Sequence, residues 1–304
     1  MNGDVLKFSA PFRLSLAGGG TDLPEKYLTS GARVMSVALN ERITITVGKD
    51  IEKQPSPLVD LFQSKHPEYN VQVSSNIPAG SGLGGSGTLA VTLVAADHYL
   101  STGTIGDPTE IGIEAYRWER EILHSPVGFQ DQIAAAVGGC VEMNASVTGE
   151  IKAKRRDDLL EKLFAFMDES FILIETGIHR DANVILKQLA LSYSKDNRLG
   201  PATFEEIENA IVNGDSEEFG YLLQQHWYAK RQRLPEATTQ EIDYIISNAM
   251  EAGAIGAKTI GAGGGGYILL CVKTGYKTTV IQKMKSIGCV IADFNLSPEG
   301  VRME

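Results

Sequence analysis

The stretch NIPAGSGLGGSGTLAVTLVAADHYL (residues 76–100) sets five glycines between Gly80 and Gly87 and follows them at once with a long apolar run. Residues 86–100 are too long and too rich in alanine and leucine for a strand and read as a helix. Just before the glycines, NVQVSS (70–75) alternates as a strand does, with Val71 and Val73 on one face. Backbone amides at a helix start have no partners, and glycine carries no Cβ to hold a ligand away, so such a turn suits an anionic phosphate. Ser81, Ser86 and Thr88 add hydroxyls. We therefore read Pro78, Gly80, Ser81, Gly82, Leu83, Gly84, Gly85, Ser86, Gly87 and Thr88 as a cradle for a nucleotide's phosphates. Taken alone, the cluster reads equally well as a turn that lets a helix pack closely on a strand. Two common nucleotide motifs do not account for it: no lysine follows as in GxxxxGK[ST], and no parallel βαβ unit surrounds it.

Outward from this centre the elements mix in an α+β manner. ERITITVGK (41–49) reads as a strand, PTEIGIEAYRWEREIL (108–123) as a helix, and SFILIET (170–176) as a strand. Helices are expected over 181–194, 203–212 and 216–232, and another over EIDYIISNAMEAG, stopped by Gly253. A second cluster places five glycines between Gly261 and Gly266, directly before the strand-like run Tyr267–Val272. The polar stretch 144–158 is a candidate hairpin or hinge, and we expect the division between two halves, 1–150 and 151–304, near it.

The 304 residues carry 28 basic and 38 acidic side chains, a formal charge of −10, which argues against a general attraction to nucleic acid or anionic lipid. Three cysteines without CxxC spacing suggest neither a disulfide framework nor a zinc site, and no stretch reaches 18 consecutive apolar residues. A soluble, cytoplasmic protein is expected, with no nucleic-acid or membrane partner, as a monomer or homodimer.

Three separated segments together are far more specific than any glycine cluster. APFRLSLAGGGTDLP (10–24), the cradle, and KTIGAGGGGYILL (258–270) resemble, in order and spacing, the three motifs of the GHMP small-molecule kinases. Within them AGGGTD, GFQDQIAAAVGG (128–139), and HWYAKRQRL (226–234) with GAKTIGAGGGG (256–266) look most like the D-glycero-D-manno-heptose 7-phosphate kinases, with fucokinase and galactokinase as cousins. The resemblance implies a GHMP kinase fold, α+β, with an N-terminal ribosomal-protein-S5-domain-2-like domain and a C-terminal ferredoxin-like domain, the active site lying between them. It implies ATP and Mg²⁺ as cofactors and a sugar or sugar phosphate as the partner. The expected reaction is phosphorylation of the anomeric hydroxyl of a heptose 7-phosphate. An unphosphorylated sugar of fucose, galactose or mannose type, or a regulator that binds without catalysis, are the alternatives.

Roles follow from the same resemblance. Asp131 matches the catalytic aspartate and Arg13 the arginine that pairs with it and offsets charge on the γ-phosphate. Ser86 and Glu119, twelve residues before Asp131, match the magnesium-facing serine and glutamate. Asp22 matches the aspartate that grips sugar hydroxyls, with Gly19, Gly20 and Thr21 beside it. Thr176, Gly177 and Arg180, at a strand end opening a helix, are candidates for holding a phosphate or sugar. Lys230 and Arg231 are candidates for a distal sugar phosphate, against the plainer reading of a solvated basic helix face. Gly263 and Gly264 are expected to close over the substrate. One departure stands out: Gly85 and Gly87 occupy places where the family often has serine and alanine, and a glycine inside a helix costs about 1 kcal/mol relative to alanine.

Overall fold

A computed structural model describes residues 5–178, 182–195 and 204–304. Its strands are β1 (Leu6–Ala17), β2 (Ala32–Gly48), β3 (Asn70–Ser75), β4 (Cys140–Ala145), β5 (Ile151–Arg155), β6 (Phe171–Glu175), β7 (Ala254–Thr259), β8 (Tyr267–Val272), β9 (Val290–Ile291) and β10 (Arg302–Met303). They form two sheets, antiparallel at every pairing, in agreement with the absence of a βαβ nucleotide motif.

The first sheet runs β10–β1–β2–β4–β5, with β3 also on β2. The 17-residue β2 makes this arrangement workable: Ala32–Val37 pairs with β4 and Ile43–Gly48 with β3, while β1 lies along the opposite edge. The helices Gly85–Thr102 and Gln130–Val137 pack against this sheet. The second sheet runs β7–β8–β6–β9. Numbered within itself that order is 2-3-1-4, the arrangement of the ferredoxin-like sandwich expected for this half.

The apolar run of β8 follows from its central place. Tyr267, Leu269 and Cys271 join the core shared with the first sheet, whereas Ile268, Leu270 and Val272 face a second core with Trp227 and Ile242. A strand covered on both faces has no polar alternation. The first of these cores is continuous from Phe8 and Phe12 to Phe171 and Phe219, so the two halves are packed on each other rather than tethered.

Two expectations need correction. The polar stretch near 150 is a hairpin rather than a hinge between halves: it joins β4 to β5 inside the first sheet, with the Ser146 N–H bonded to the Glu150 carbonyl and the Glu150 N–H to Ser146 Oγ. The chain leaves that sheet only after Arg155, and β10 returns to it from the far end. The helix expected over 108–123 is an α-helix only to Arg117; a five-residue π-helical stretch, Trp118–Ile122, continues it. Such widened turns often sit at functional sites, and this one carries Glu119.

Helix starts differ in an informative way. Ser56, Asp107, Asp215 and Thr239 cap their helices with side-chain oxygens. The helix Gly85–Thr102 begins from Gly84, in the left-handed region at φ 86°, and no side chain caps it. Its first amides are left for something else. Among the described residues no helix is long and apolar enough to cross a membrane.

Candidate active site

The cradle is held from both sides. The Arg13 N–H donates to the Leu83 carbonyl at 3.1 Å and Thr88 Oγ1 to the Pro11 carbonyl at 3.2 Å, fixing the loop on β1. On the other side, a Cβ on Gly261 would lie 2.5 Å from the Gly82 carbonyl oxygen, and one on Gly266 only 2.0 Å from that of Ser81. The two glycine clusters therefore meet backbone to backbone, one from each half of the molecule. They border a cleft of about 1360 Å³, whose lining includes the apolar Ile43, Leu58, Val73, Ile77 and Leu89. An apolar recess beside uncapped amides suits a nucleotide's base and phosphates.

In the middle of the cleft Arg13, 3% exposed, donates from Nε and Nη2 to Asp131 Oδ1 at 2.8 and 2.5 Å, and from Nη1 to the Gly82 carbonyl at 2.7 Å. Asp131 opens the helix Gln130–Val137, and its side chain is 32% exposed to the cleft. Close by, Asp22 receives the N–H groups of Gly20 at 3.0 Å and Gln130 at 3.3 Å. Burial, and then the charge of Asp131, push the Asp22 carboxyl up to about 6. The Gln130 amide is fastened to Ser15 and Ser36, both at 2.8 Å.

A second carboxylate lies deeper. Glu119 is 1% exposed; Ser86 donates to Oε1, and Gln132 Nε2 to Oε2 at 2.6 Å. Burial pushes its carboxyl up to about 7, against the two hydrogen bonds that pull it down. Gln132 Oε1 is buried without a partner among the described residues. An orphaned acceptor beside a serine hydroxyl and a carboxylate is an oxygen-donor set that fits a hard divalent cation shared with phosphates.

The sequence matches two family models, the GHMP kinases N terminal domain over residues 42–139 and the GHMP kinases C terminal over 207–288, together more than half of the chain. The chain belongs to the GHMP kinases. It is 27% identical to the D-glycero-alpha-D-manno-heptose 7-phosphate kinase of Campylobacter jejuni, covering 98% of each protein. The fold is shared with a D-glycero-D-manno-heptose 1-phosphate kinase from Bacteroides thetaiotaomicron (TM-score 0.70, 21% identity, 98% of each chain). It is likewise shared with Lactococcus lactis galactokinase complexed with galactose (TM-score 0.67, 16% identity, 98% of this chain and 95% of that one). GHMP kinases use ATP as phosphate donor, and this one is an ATP-dependent phosphotransferase.

Not every residue singled out in the sequence reaches the cleft of this GHMP kinase. Gly19, Gly20, Thr21, Asp22, Ser86, Glu119, Asp131, Arg13 and Lys230 line it. Arg231 does not: it is bonded to Asp243 at 2.8 Å, because consecutive helical residues point about 100° apart. Lys230, on the cleft side, donates to the Gly261 carbonyl at 2.7 Å, nearer the phosphate loop than a distal sugar phosphate would require. Thr176 and Gly177 line a separate cavity of about 480 Å³, and the Thr176 hydroxyl donates to the Gly266 carbonyl at 2.7 Å. Gly263 and Gly264 turn away onto Ala237, whose carbonyl the Gly264 N–H meets at 2.5 Å, so Gly261 and Ala262 face the cleft instead. Arg180 lies outside the described residues.

Other cleft residues of the GHMP kinase were not singled out. Tyr193 lies over Gly20, with the Arg233 guanidinium 4.9 Å from its ring centroid. Gly128 is needed because a Cβ there would lie 2.0 Å from Asp22 Oδ2. Lys258 and His226 also line the cleft. Lys258 had a signal: a lysine inside a strand of alanine and glycine whose every other position is apolar or small.

Proposed function

We propose that this GHMP kinase phosphorylates the anomeric hydroxyl of a heptose 7-phosphate, giving the 1,7-bisphosphate. The observation that carries the proposal is the pairing, in one cleft with the cradle, of Asp131 held by Arg13 and Asp22 held by backbone amides. Two carboxylates so placed can take one sugar between them, Asp22 on its hydroxyls and Asp131 on the hydroxyl that reacts. The choice of sugar rests on the relative from C. jejuni, which matches over nearly its full length.

Asp131 Oδ2 accepts the hydrogen bond of the acceptor hydroxyl and orients its oxygen toward the terminal phosphorus. That oxygen forms its bond to phosphorus as the bond from phosphorus to the bridging oxygen breaks, and the electron pair leaves with ADP. The acceptor's proton goes to Asp131 and from there to solvent. Arg13, bonded to Oδ1, holds Asp131 in place throughout. Ser86 and Glu119 would hold a Mg²⁺ ion, which would supply charge neutralisation on the nucleotide's phosphates.

A second reading, an anomeric kinase for an unphosphorylated sugar, is favoured by one observation: Arg231, expected to meet a sugar phosphate, is occupied by Asp243. ³¹P NMR of the purified protein with Mg-ATP and heptose 7-phosphate, mannose, fucose or galactose separates the two. A new anomeric phosphate signal from heptose 7-phosphate alone supports the first; a signal from a free sugar replaces it with the second. We place the enzyme in the cytoplasm, where three unpaired thiols, Cys140 and Cys271 buried and Cys289 partly so, would persist.

A further inference from the structure

Lys258 is 4% exposed, yet it forms part of the cleft wall. Its Nζ donates to one acceptor, the Ser15 carbonyl, at 3.2 Å, and no carboxylate among the described residues pairs with it. A buried ammonium without a counter-charge is costly, and a chain that keeps one has an anion to offer it. Ser15 lies two residues beyond Arg13 on β1, so both side chains share one face of the first sheet. Lys258 comes from β7 in the second sheet, so the contact crosses from one half of the molecule to the other.

The charges around it decide which anion fits. Arg13 is matched by Asp131, and its three nitrogens are engaged by Asp131 and Gly82. His226, on the helix Ser216–Arg233, is pushed down to about 3 by burial and by Lys258 and Lys230, and is neutral. Lys230 is directed to the Gly261 carbonyl. Beside the Arg13–Asp131 pair, Lys258 therefore brings a buried positive charge that no carboxylate among the described residues matches. Burial, with Arg13 adding, also brings the Lys258 ammonium down to about 8, as expected where charge awaits a partner.

We propose that Lys258 is a further catalytic residue, whose ammonium meets the terminal phosphoryl group of the nucleotide as that group passes to the acceptor. The proposal rests on the kinase reading above but not on which sugar is used. A fixed cation aimed at developing charge in a closed cleft is among the strongest means of lowering such a barrier. Because the second sheet delivers it, the reaction centre is complete only when both halves are in place.

The test compares wild type with Lys258→Met, which keeps the apolar stem, and Lys258→Arg, which keeps the charge. Titrations use ADP and the β,γ-imido analogue of ATP, and turnover is measured with whichever sugar the wild type accepts. In Lys258→Met we expect the ADP Kd to stay within about twofold, the preference for the analogue over ADP to fall at least about fivefold, and kcat to fall about 100-fold or more. Lys258→Arg should recover about tenfold of that kcat loss. Should Lys258→Met not fold, Lys258→Gln, which retains a donor for Ser15 without the charge, carries the same comparison. The proposal is overturned by a kcat within about fivefold of wild type, or by ADP affinity falling in step with kcat without rescue by arginine. A rise in KM for a sugar phosphate alone overturns it as well, since Lys258 would then read the substrate's own phosphate. If the wild type turns over no sugar, the sugar-kinase reading fails, while the analogue-to-ADP preference still decides the role of Lys258.

Discussion

Arg13 gives both Nε and Nη2 to a single oxygen of Asp131, Oδ1, and among the described residues nothing is hydrogen-bonded to Oδ2. One oxygen is thus structural and the other is open to the acceptor. Asp131→Asn removes the charge that Arg13 holds and the basicity that the acceptor meets. We expect kcat to fall about 10³-fold with the ATP Kd changed by less than about threefold. Steady-state kinetics beside a nucleotide titration checks this, and a kcat within about tenfold of wild type removes Asp131 from the chemistry.

For Gly87, one of the two departures read in the sequence, the structure supplies a reason. A methyl there would lie 2.8 Å from Asp131 Cβ and 3.1 Å from the Gln132 nitrogen. Gly87→Ala gains about 1 kcal/mol of helix propensity but must displace the helix that carries Asp131. We expect kcat to fall about tenfold through this misplacement, with little loss of melting temperature. A variant as active as wild type would show that the two helices separate freely.

The raised Asp22 carboxyl gives a pH dependence with a definite sign. On the role proposed for Asp22, its ionised form grips sugar hydroxyls, so sugar affinity should rise as pH rises through about 6. In the sugar-free protein the folded state holds this proton more tightly than the unfolded chain between 3.8 and about 6. The contribution of Asp22 to stability therefore falls as pH rises across that window. Asp131→Asn removes the neighbouring negative charge and should move the affinity limb to lower pH. Sugar binding by calorimetry from pH 5 to 8 in both proteins tests it; superimposable limbs would mean that the two carboxylates do not sense each other. Gly128→Ala should weaken sugar binding outright, because its methyl occupies the place of Asp22 Oδ2.

Glu119→Gln keeps the size of the side chain in the deep site and removes its charge. We expect the half-saturating Mg²⁺ concentration to rise about 10- to 100-fold, with metal-free ADP binding unchanged. An unaltered Mg²⁺ requirement would leave Glu119 as a partner of Ser86 and Gln132 only.

The helices and the strand Tyr267–Val272 were legible because their patterns are local. The pairing of β10 with β1 was not, since nothing near Arg302 signals a partner at Ser9. Asp131, Arg13, Asp22, Ser86 and Glu119 were found through motifs, and they do converge on one cleft. Lys230 and Arg231 could not be told apart, because helical phase relative to a cleft depends on packing. Thr176 and Gly177, candidates for holding a phosphate or sugar, line a different cavity at the end of β6, which again only packing decides. Lys258 stands just before the second glycine cluster, and its place in the cleft wall depends on how the second sheet packs on the first.

The contact between the two glycine clusters bears on how this sequence can change. When two side chains collide, a smaller residue opposite can restore the fit, and the pair drifts together. Gly82, Gly261 and Gly266 face main-chain atoms of Ile260, Gly82 and Ser81, which come in only one size. No second-site substitution can make room by shrinking a carbonyl. In a saturation library these three positions should therefore behave as fixed points without suppressors, while the side chains around them remain free to trade volume.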